Sequence, residues 1–156
     1  CGYSPRQRLD LVVNILTNLG YHKKTIKVFG GSQLRPNIHI NDMCKSYLKV
    51  LESPKEIVNN QAFNVGFENH SVLDLAKLVQ NNLGDEVKII QTKTNDLRSY
   101  HVSSDKIHKV LNFNPNNNIE DAIKDLIKAF SKNLFSNALE NEFYYNIKRM
   151  NNINLN

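Results

Sequence analysis

Residues 26–43 read IKVFGGSQLRPNIHINDM, and most of the fold can be argued outward from this stretch. Thr25-Ile26-Lys27-Val28-Phe29 alternates polar and apolar side chains, the period of a half-buried strand, and Gly30-Gly31 ends it. Ile38-His39-Ile40 reads as a second short strand. It runs into Asn41-Asp42, side chains suited to capping a helix that carries Met43, Tyr47, Leu48 and Leu51 and is closed by Ser53-Pro54. Upstream, Leu9, Val12, Val13, Leu16 and Leu19 fall at helical spacing, which predicts a helix over 6–20 with Gly20 as its cap.

Downstream, Ala62-Phe63-Asn64-Val65-Gly66 reads as a buried strand, and Ser71 with Asp74 opens a helix bearing Val72, Leu75, Ala76, Leu78 and Val79. Val87–Ile90 and Tyr100–Val102 have strand character. Ser103 or Ser104 starts a short helix that stops at Asn112–Pro115. The clearest amphipathic helix is 119–130, with Ile119, Ala122, Ile123, Leu126, Ile127 and Phe130 on one side. Residues 133–156 are expected to be a helical or disordered tail. This order is mixed α/β, and its few short strands make a poor self-contained sheet among so many helices. It suits the later part of a larger α/β enzyme, and the start at Cys1 rather than Met points the same way.

With 156 residues, 40% of them hydrophobic, the chain can build one core but has no apolar run long enough to span a bilayer. The opening residues lack the apolar region of a signal peptide. Cys1 and Cys44 match neither a disulfide framework nor a zinc spacing, which favours free thiols in a cytoplasmic protein and no metal site. The net charge of +5 lies within residues 1–52, where eight Lys and Arg face three Asp and Glu. A nucleic-acid surface needs a denser basic stripe with interleaved aromatics, so a compact anionic ligand explains the asymmetry better. Asparagine occurs 24 times but in no tract, and reads as compositional bias.

Arg8, Arg35 and Arg98 stand apart in a chain with 15 Lys and five Arg. A guanidinium fork matches phosphate oxygens, and arginines from separate segments suit a diphosphate. Spacing alone leaves the alternative open that they pair at the surface with Asp10, Asp42 or Asp96.

Four segments together, GYSPRQRLDLVVN (2–14), IKVFGGSQLRPNIHINDM (26–43), AFNVG (62–66) and NDLRSYHVSSDKI (95–107), resemble the C-terminal half of NAD-dependent sugar-nucleotide epimerases and dehydratases. These are members of the extended short-chain dehydrogenase/reductase family. The resemblance covers roughly residues 1–130 and implies an α/β, Rossmann-type enzyme. Residues 1–132 would be its substrate-binding portion, and the dinucleotide-binding part would lie outside the chain. It implies that Cys1 and Gly2, at the start of the loop through Pro5, pass near a nicotinamide, and that Arg8 and Leu9 begin a helix meeting the substrate's diphosphate. Val28 and Phe29 would lie against the nucleotide base, and Arg35 and Arg98 would grip the diphosphate or ribose. NAD or NADP is the implied cofactor and a nucleotide-diphosphate sugar the implied substrate, in an enzyme that is often a homodimer.

Two of that family's motifs are missing. Gly30-Gly31 follows a strand but lacks the further glycine of a dinucleotide cradle, and reads as a turn. Tyr144…Lys148 has the spacing of the family's catalytic Tyr-x-x-x-Lys but sits downstream of every substrate motif, so the pair is expected upstream of Cys1. The expectation is therefore a fragment that binds the nucleotide end of the substrate and has no turnover by itself. A standalone non-catalytic nucleotide-sugar-binding module, or an inactive remnant, remains as the alternative. His39, within apolar neighbours, reads as a packed, hydrogen-bonded residue rather than an acid or base, and Asp42 as a cap of its own helix.

Overall fold

The computed structural model describes residues 1–95 and 98–154. In chain order these form α1 (Val12–Lys23), β1 (Thr25–Phe29), β2 (Leu34–Asn37), α2 (Ile40–Leu51), α3 (Lys55–Val58), β3 (Glu68–Ser71), α4 (Val72–Leu83), β4 (Lys88–Thr92), α5 (Asp105–Leu111), α6 (Ile119–Ser131) and α7 (Asn146–Asn152), with a 3-10 turn at Glu142–Tyr144. The chain is α/β, with few short strands and several helices, as its periodicities predict. β1 and β4 pair in parallel from Thr25 opposite Lys88 to Phe29 opposite Thr92. β2 and β3 pair antiparallel, which sets Arg35 opposite His70.

Alternation in β1 decides which face is covered: Ile26 and Val28 are fully buried while Lys27 and Phe29 are exposed. The two buried side chains meet Val13 and Leu16 of α1, Leu75, Ala76 and Val79 of α4, and Ile119 and Ile123 of α6. α6 is fixed at its start by a reciprocal capping pair, Asn118 and Asp121, and α4 by Ser71, whose oxygen accepts from the Asp74 amide at 3.1 Å. A smaller core of Leu9, Leu126, Phe130 and Ala138 lies under the C-terminal segment. That segment is tied down by Leu9 N–H to the Tyr144 carbonyl at 2.8 Å and by the Asn146 amide to Asp10 Oδ2 at 2.9 Å.

Several elements depart from the sequence expectation. α1 starts at Val12 rather than residue 6, because residues 2–10 form a loop stitched by two buried amide side chains. Asn14 Oδ1 accepts from Gly2 N–H and its Nδ2 donates to the Arg8 carbonyl, while Gln7 Nε2 donates to the carbonyls of Gly2 and Arg8. Gly20 is inside the helix, not its cap; it gives α4 room, since a Cβ there would stand 2.7 Å from Leu83 Cδ1. Lys24, at φ 50°, closes the helix instead.

The second strand is Leu34–Asn37, so Ile38 and His39 lead into the helix and His39, not Asn41 or Asp42, is the N-cap. Asp42 caps nothing of its own. It is fully buried and reaches across to the loop before α6, where Oδ2 accepts from the Asn116 and Asn117 amides at 3.1 and 2.8 Å and from Asn117 Nδ2 at 2.9 Å.

Residues 62–66 form no strand. Phe63 and Val65 lean on Ile107, Leu111 and Phe113, but among the described residues no strand runs alongside to complete a ladder. Tyr100–Val102 also stays outside the sheets, because the Asn69 side chain takes the place of a partner strand: its Oδ1 accepts from Val102 N–H at 3.0 Å and its Nδ2 donates to Val102 O at 3.1 Å.

Candidate ligand cleft

α1 begins without a side-chain cap, since its N-cap residue is Leu11, and without an acidic residue in its first turn. The amides of the first turn are unsatisfied by the helix itself, so this end carries partial positive charge. It opens on a cleft of about 520 Å³, whose walls include Leu11, Val12 and Ile15 of α1, Arg35, Pro36 and Ile38 of the β2 segment, Cys1 and Tyr100. The arrangement offers an anion two separate attractions, a helix N-terminus and a guanidinium, beside an apolar floor.

Arg35 is half-buried. Its Nη1 donates to the Leu34 carbonyl at 2.9 Å and to the Arg98 carbonyl at 2.6 Å, and its Cζ lies 5.3 Å from the centre of the Tyr100 ring. The structure therefore brings the segments of Arg35 and Arg98 together. Tyr100, however, shares the cleft with Arg35, while the contribution seen from exposed Arg98 is its carbonyl. Asp96 lies outside the described residues.

Arg8 sits in the loop before α1, not at a helix start, and its Nε donates to Asp10 Oδ1 at 2.9 Å. This is the ion pair that spacing alone left open. Burial raises the Asp10 carboxyl pKa, but the Arg8 hydrogen bond, the Asn146 amide and the Arg8 charge outweigh it, so the group titrates below its ordinary value. Asp10 also lines the cleft, so Arg8 offsets a negative charge that would otherwise oppose an anion there.

Of the other sequence candidates, Cys1 alone lines the cleft among the described residues. Leu9 is fully buried among Leu126, Phe130 and Ala138; it is a core residue and its side chain cannot touch a ligand. Val28 is likewise wholly buried, whereas Phe29 is exposed and open to contact. Cys1 lines the cleft and its Sγ donates to the Ile38 carbonyl at 3.2 Å. Gly2 is buried against His39, where a Cβ would stand 3.1 Å from the ring. His39 is a packed, hydrogen-bonded residue: Nδ1 accepts from the Asn41 amide at 3.1 Å and Nε2 lies 3.3 Å from Asp125 Oδ2.

A polar hollow of about 490 Å³ lies where β1 and β4 end, lined by Gly30, Ser32, Gln33, Lys93, Thr94, Asn95 and Ser99. Lys93 was invisible as a candidate in a lysine-rich sequence; only the parallel pairing of β1 with β4 sets it beside Gly30. Such strand ends are where α/β sheets commonly receive ligands.

No dinucleotide cradle exists among the described residues. The turn amides of Gly30 and Gly31 are spent on the Thr92 carbonyl and Gln33 Oε1, and the next element is a strand rather than a helix. Tyr144 and Lys148 make no catalytic pair either: Tyr144 packs on Phe135, and Lys148 Nζ lies over the Tyr145 ring at 4.4 Å. No described helix is long and apolar enough to cross a membrane.

Comparison with known proteins agrees with this architecture. The model of the NAD dependent epimerase/dehydratase family matches residues 2–66. The chain is 25% identical over 127 residues to UDP-glucose 4-epimerase of Erwinia amylovora, a match covering 80% of this chain and 38% of that protein. Its backbone superposes with TM-score 0.72 on UDP-glucuronic acid 4-epimerase from Bacillus cereus, solved with UDP-glucuronic acid and NAD, at 22% identity, covering 85% of this chain and 43% of that one. UDP-glucose 4-epimerase of Thermotoga maritima, solved with UDP-glucose, gives TM-score 0.68 and 24% identity over 85% of this chain and 44% of its own. The fold is thus that of Rossmann-type extended short-chain dehydrogenase/reductases. The chain spans less than half the length of each of these proteins.

Proposed function

We propose that this chain is the substrate-binding portion of an NAD(P)-dependent sugar-nucleotide epimerase or dehydratase, and that it holds the nucleotide-diphosphate end of the substrate. One observation carries the reading: the uncapped N-terminus of α1 and the Arg35 guanidinium face one cleft with an apolar floor. A diphosphate can take both, while exposed Phe29 and the hollow at Lys93 are offered for the base or ribose. In this reading residues 1–132 are the binding portion and 133–156 a tail, within which Ala138 and Tyr145 meet Asn18 of α1.

The cofactor, NAD or NADP, accepts and returns a hydride in such enzymes. The Gly30-Gly31 turn does not fit its pyrophosphate, so in this reading its binding belongs mainly to the rest of the enzyme, together with the Tyr/Lys pair, while Cys1 and Gly2 pass near the nicotinamide. This portion's own work is positioning: binding energy at the nucleotide end places the sugar for chemistry elsewhere. The surface supports an incomplete molecule over a standalone module. On α2, Tyr47, Leu48 and Leu51 are 66%, 55% and 80% exposed, beside residues 62–66, which have the sequence of a strand and no ladder.

Calorimetric titration of the chain with UDP and with UDP-glucose tests the reading. Binding of both is expected, with Arg35→Ala weakening each by about ten- to a hundredfold, the range for charged hydrogen bonds, and no epimerase turnover by the chain alone. Absence of UDP binding, or an Arg35→Ala variant that binds as well as the parent, overturns the reading.

A further inference from the structure

Arg35 is held before any ligand arrives. Both of its hydrogen bonds to carbonyls come from Nη1, and among the described residues Nε and Nη2 donate to no protein group. The Tyr100 ring that faces the guanidinium is itself anchored to the β2 edge: its amide lies 3.5 Å from the Leu34 carbonyl, and the neighbouring Ser99 Oγ accepts from Leu34 N–H at 2.9 Å. The ring is more than half exposed, so it does little as a core residue. A guanidinium over an aromatic face gains cation–π attraction and loses rotamer freedom in advance, which lowers the cost of ordering it on binding.

We propose that Tyr100 is a positioning residue for Arg35. Its ring, with the Arg98 carbonyl, fixes the guanidinium so that the Nε–Nη2 edge serves the ligand in the cleft. The inference rests on the diphosphate reading for the ligand's identity but not for the geometry of the pair. It separates two residues that the motif NDLRSYHVSSDKI leaves equivalent: Arg98 supplies a carbonyl and Tyr100 supplies a face.

Two measurements on the full chain test it. By NMR, the Arg35 side-chain protons should show upfield ring-current shifts that vanish in Tyr100→Leu and persist in Tyr100→Phe. By calorimetry with UDP, Tyr100→Leu should weaken binding about two- to fivefold, the scale of an exposed cation–π contact, with Tyr100→Phe close to the parent. In an Arg35→Ala background Tyr100→Leu should cost nothing further. Absent ring-current shifts, or an equal loss from Tyr100→Leu with and without Arg35, overturns the positioning role, the second result by showing that the ring acts on the ligand directly. Failure of the parent chain to bind UDP while the shifts are present counts instead against the diphosphate reading and upholds the Arg35–Tyr100 geometry.

Discussion

The loop of residues 2–10 and the face formed by α2 with residues 62–66 are both irregular or unladdered, yet they are opposite in kind. In the loop, buried Gln7 and Asn14 bond the carbonyls of Gly2 and Arg8 and the amides of Gly2 and Ser4. Its lack of helix is compensated within the chain. The α2 face is compensated only in part: Gly66 N–H donates to Ser104 Oγ at 2.8 Å and Lys106 Nζ to the Ala62 carbonyl at 2.9 Å, but Tyr47, Leu48 and Leu51 stand in solvent and, among the described residues, no strand pairs with 62–66. Irregular backbone is thus satisfied by buried side chains in one place and by more exposed ones, under an open apolar face, in the other, and the way to tell them apart is to follow the hydrogen bonds and the burial.

The largest effect that sharpens this contrast is expected at Asp42, the buried carboxylate joining α2 to the loop before α6. Asp42→Ala leaves two amides and an Asn117 side chain without their acceptor, and should cost about 2–4 kcal/mol in urea denaturation. Loss below 1 kcal/mol would show that the α2 side is already loosely attached. The same group predicts a pH effect. Burial raises its pKa, but the hydrogen bonds from Asn117, Asn116 and Lys45 bring it below the ordinary 3.8. A lowered pKa means the stabilisation is complete above pH 3.8 and disappears as pH falls through the folded-state value. The acid limb of the stability profile should flatten in Asp42→Ala, and an unchanged limb would assign it to other carboxylates.

Next in size is Asn14→Ala, which breaks the stitch between residues 2 and 8. About 1–3 kcal/mol is expected from the unsatisfied buried groups, with proteolytic nicking in 2–10 as the local readout. Protection equal to the parent would mean that Gln7 suffices. The smallest effect belongs to the α2 face. Leu51→Lys should change stability by no more than about 0.5 kcal/mol, as surface substitutions do, while raising solubility. Destabilisation beyond 1 kcal/mol would show that Leu51 is packed within this chain and undo the contrast.

Much of the fold was legible because its helices carry their own instructions. Ser71 with Asp74, and the apolar stripe from Ile119 to Phe130, marked α4 and α6 within a residue or so. Errors fell where a residue's role depends on a distant partner. Gly20 looks like a helix stop until Leu83 of α4 is seen against it, and Asp42 looks like a local cap until the 116–117 loop is seen. Arg35, which its motif singles out, lines the cleft. Arg8 pairs with Asp10, two residues away, and Leu9 lies in the core, because α1 begins at Val12 rather than at residue 6.

From its residues alone the chain determined most of its helices, its α/β class and the basic bias of its first third, since local propensity, apolar period and charge are properties of neighbours in sequence. Tertiary structure alone decided that Tyr100 rather than Arg98 shares the cleft with Arg35, that Lys93 stands at the end of the parallel strand pair, and that α2 keeps an open apolar face. The first two depend on contacts between segments far apart in the chain, where hydrogen-bond geometry and burial, not sequence spacing, set which side chains meet.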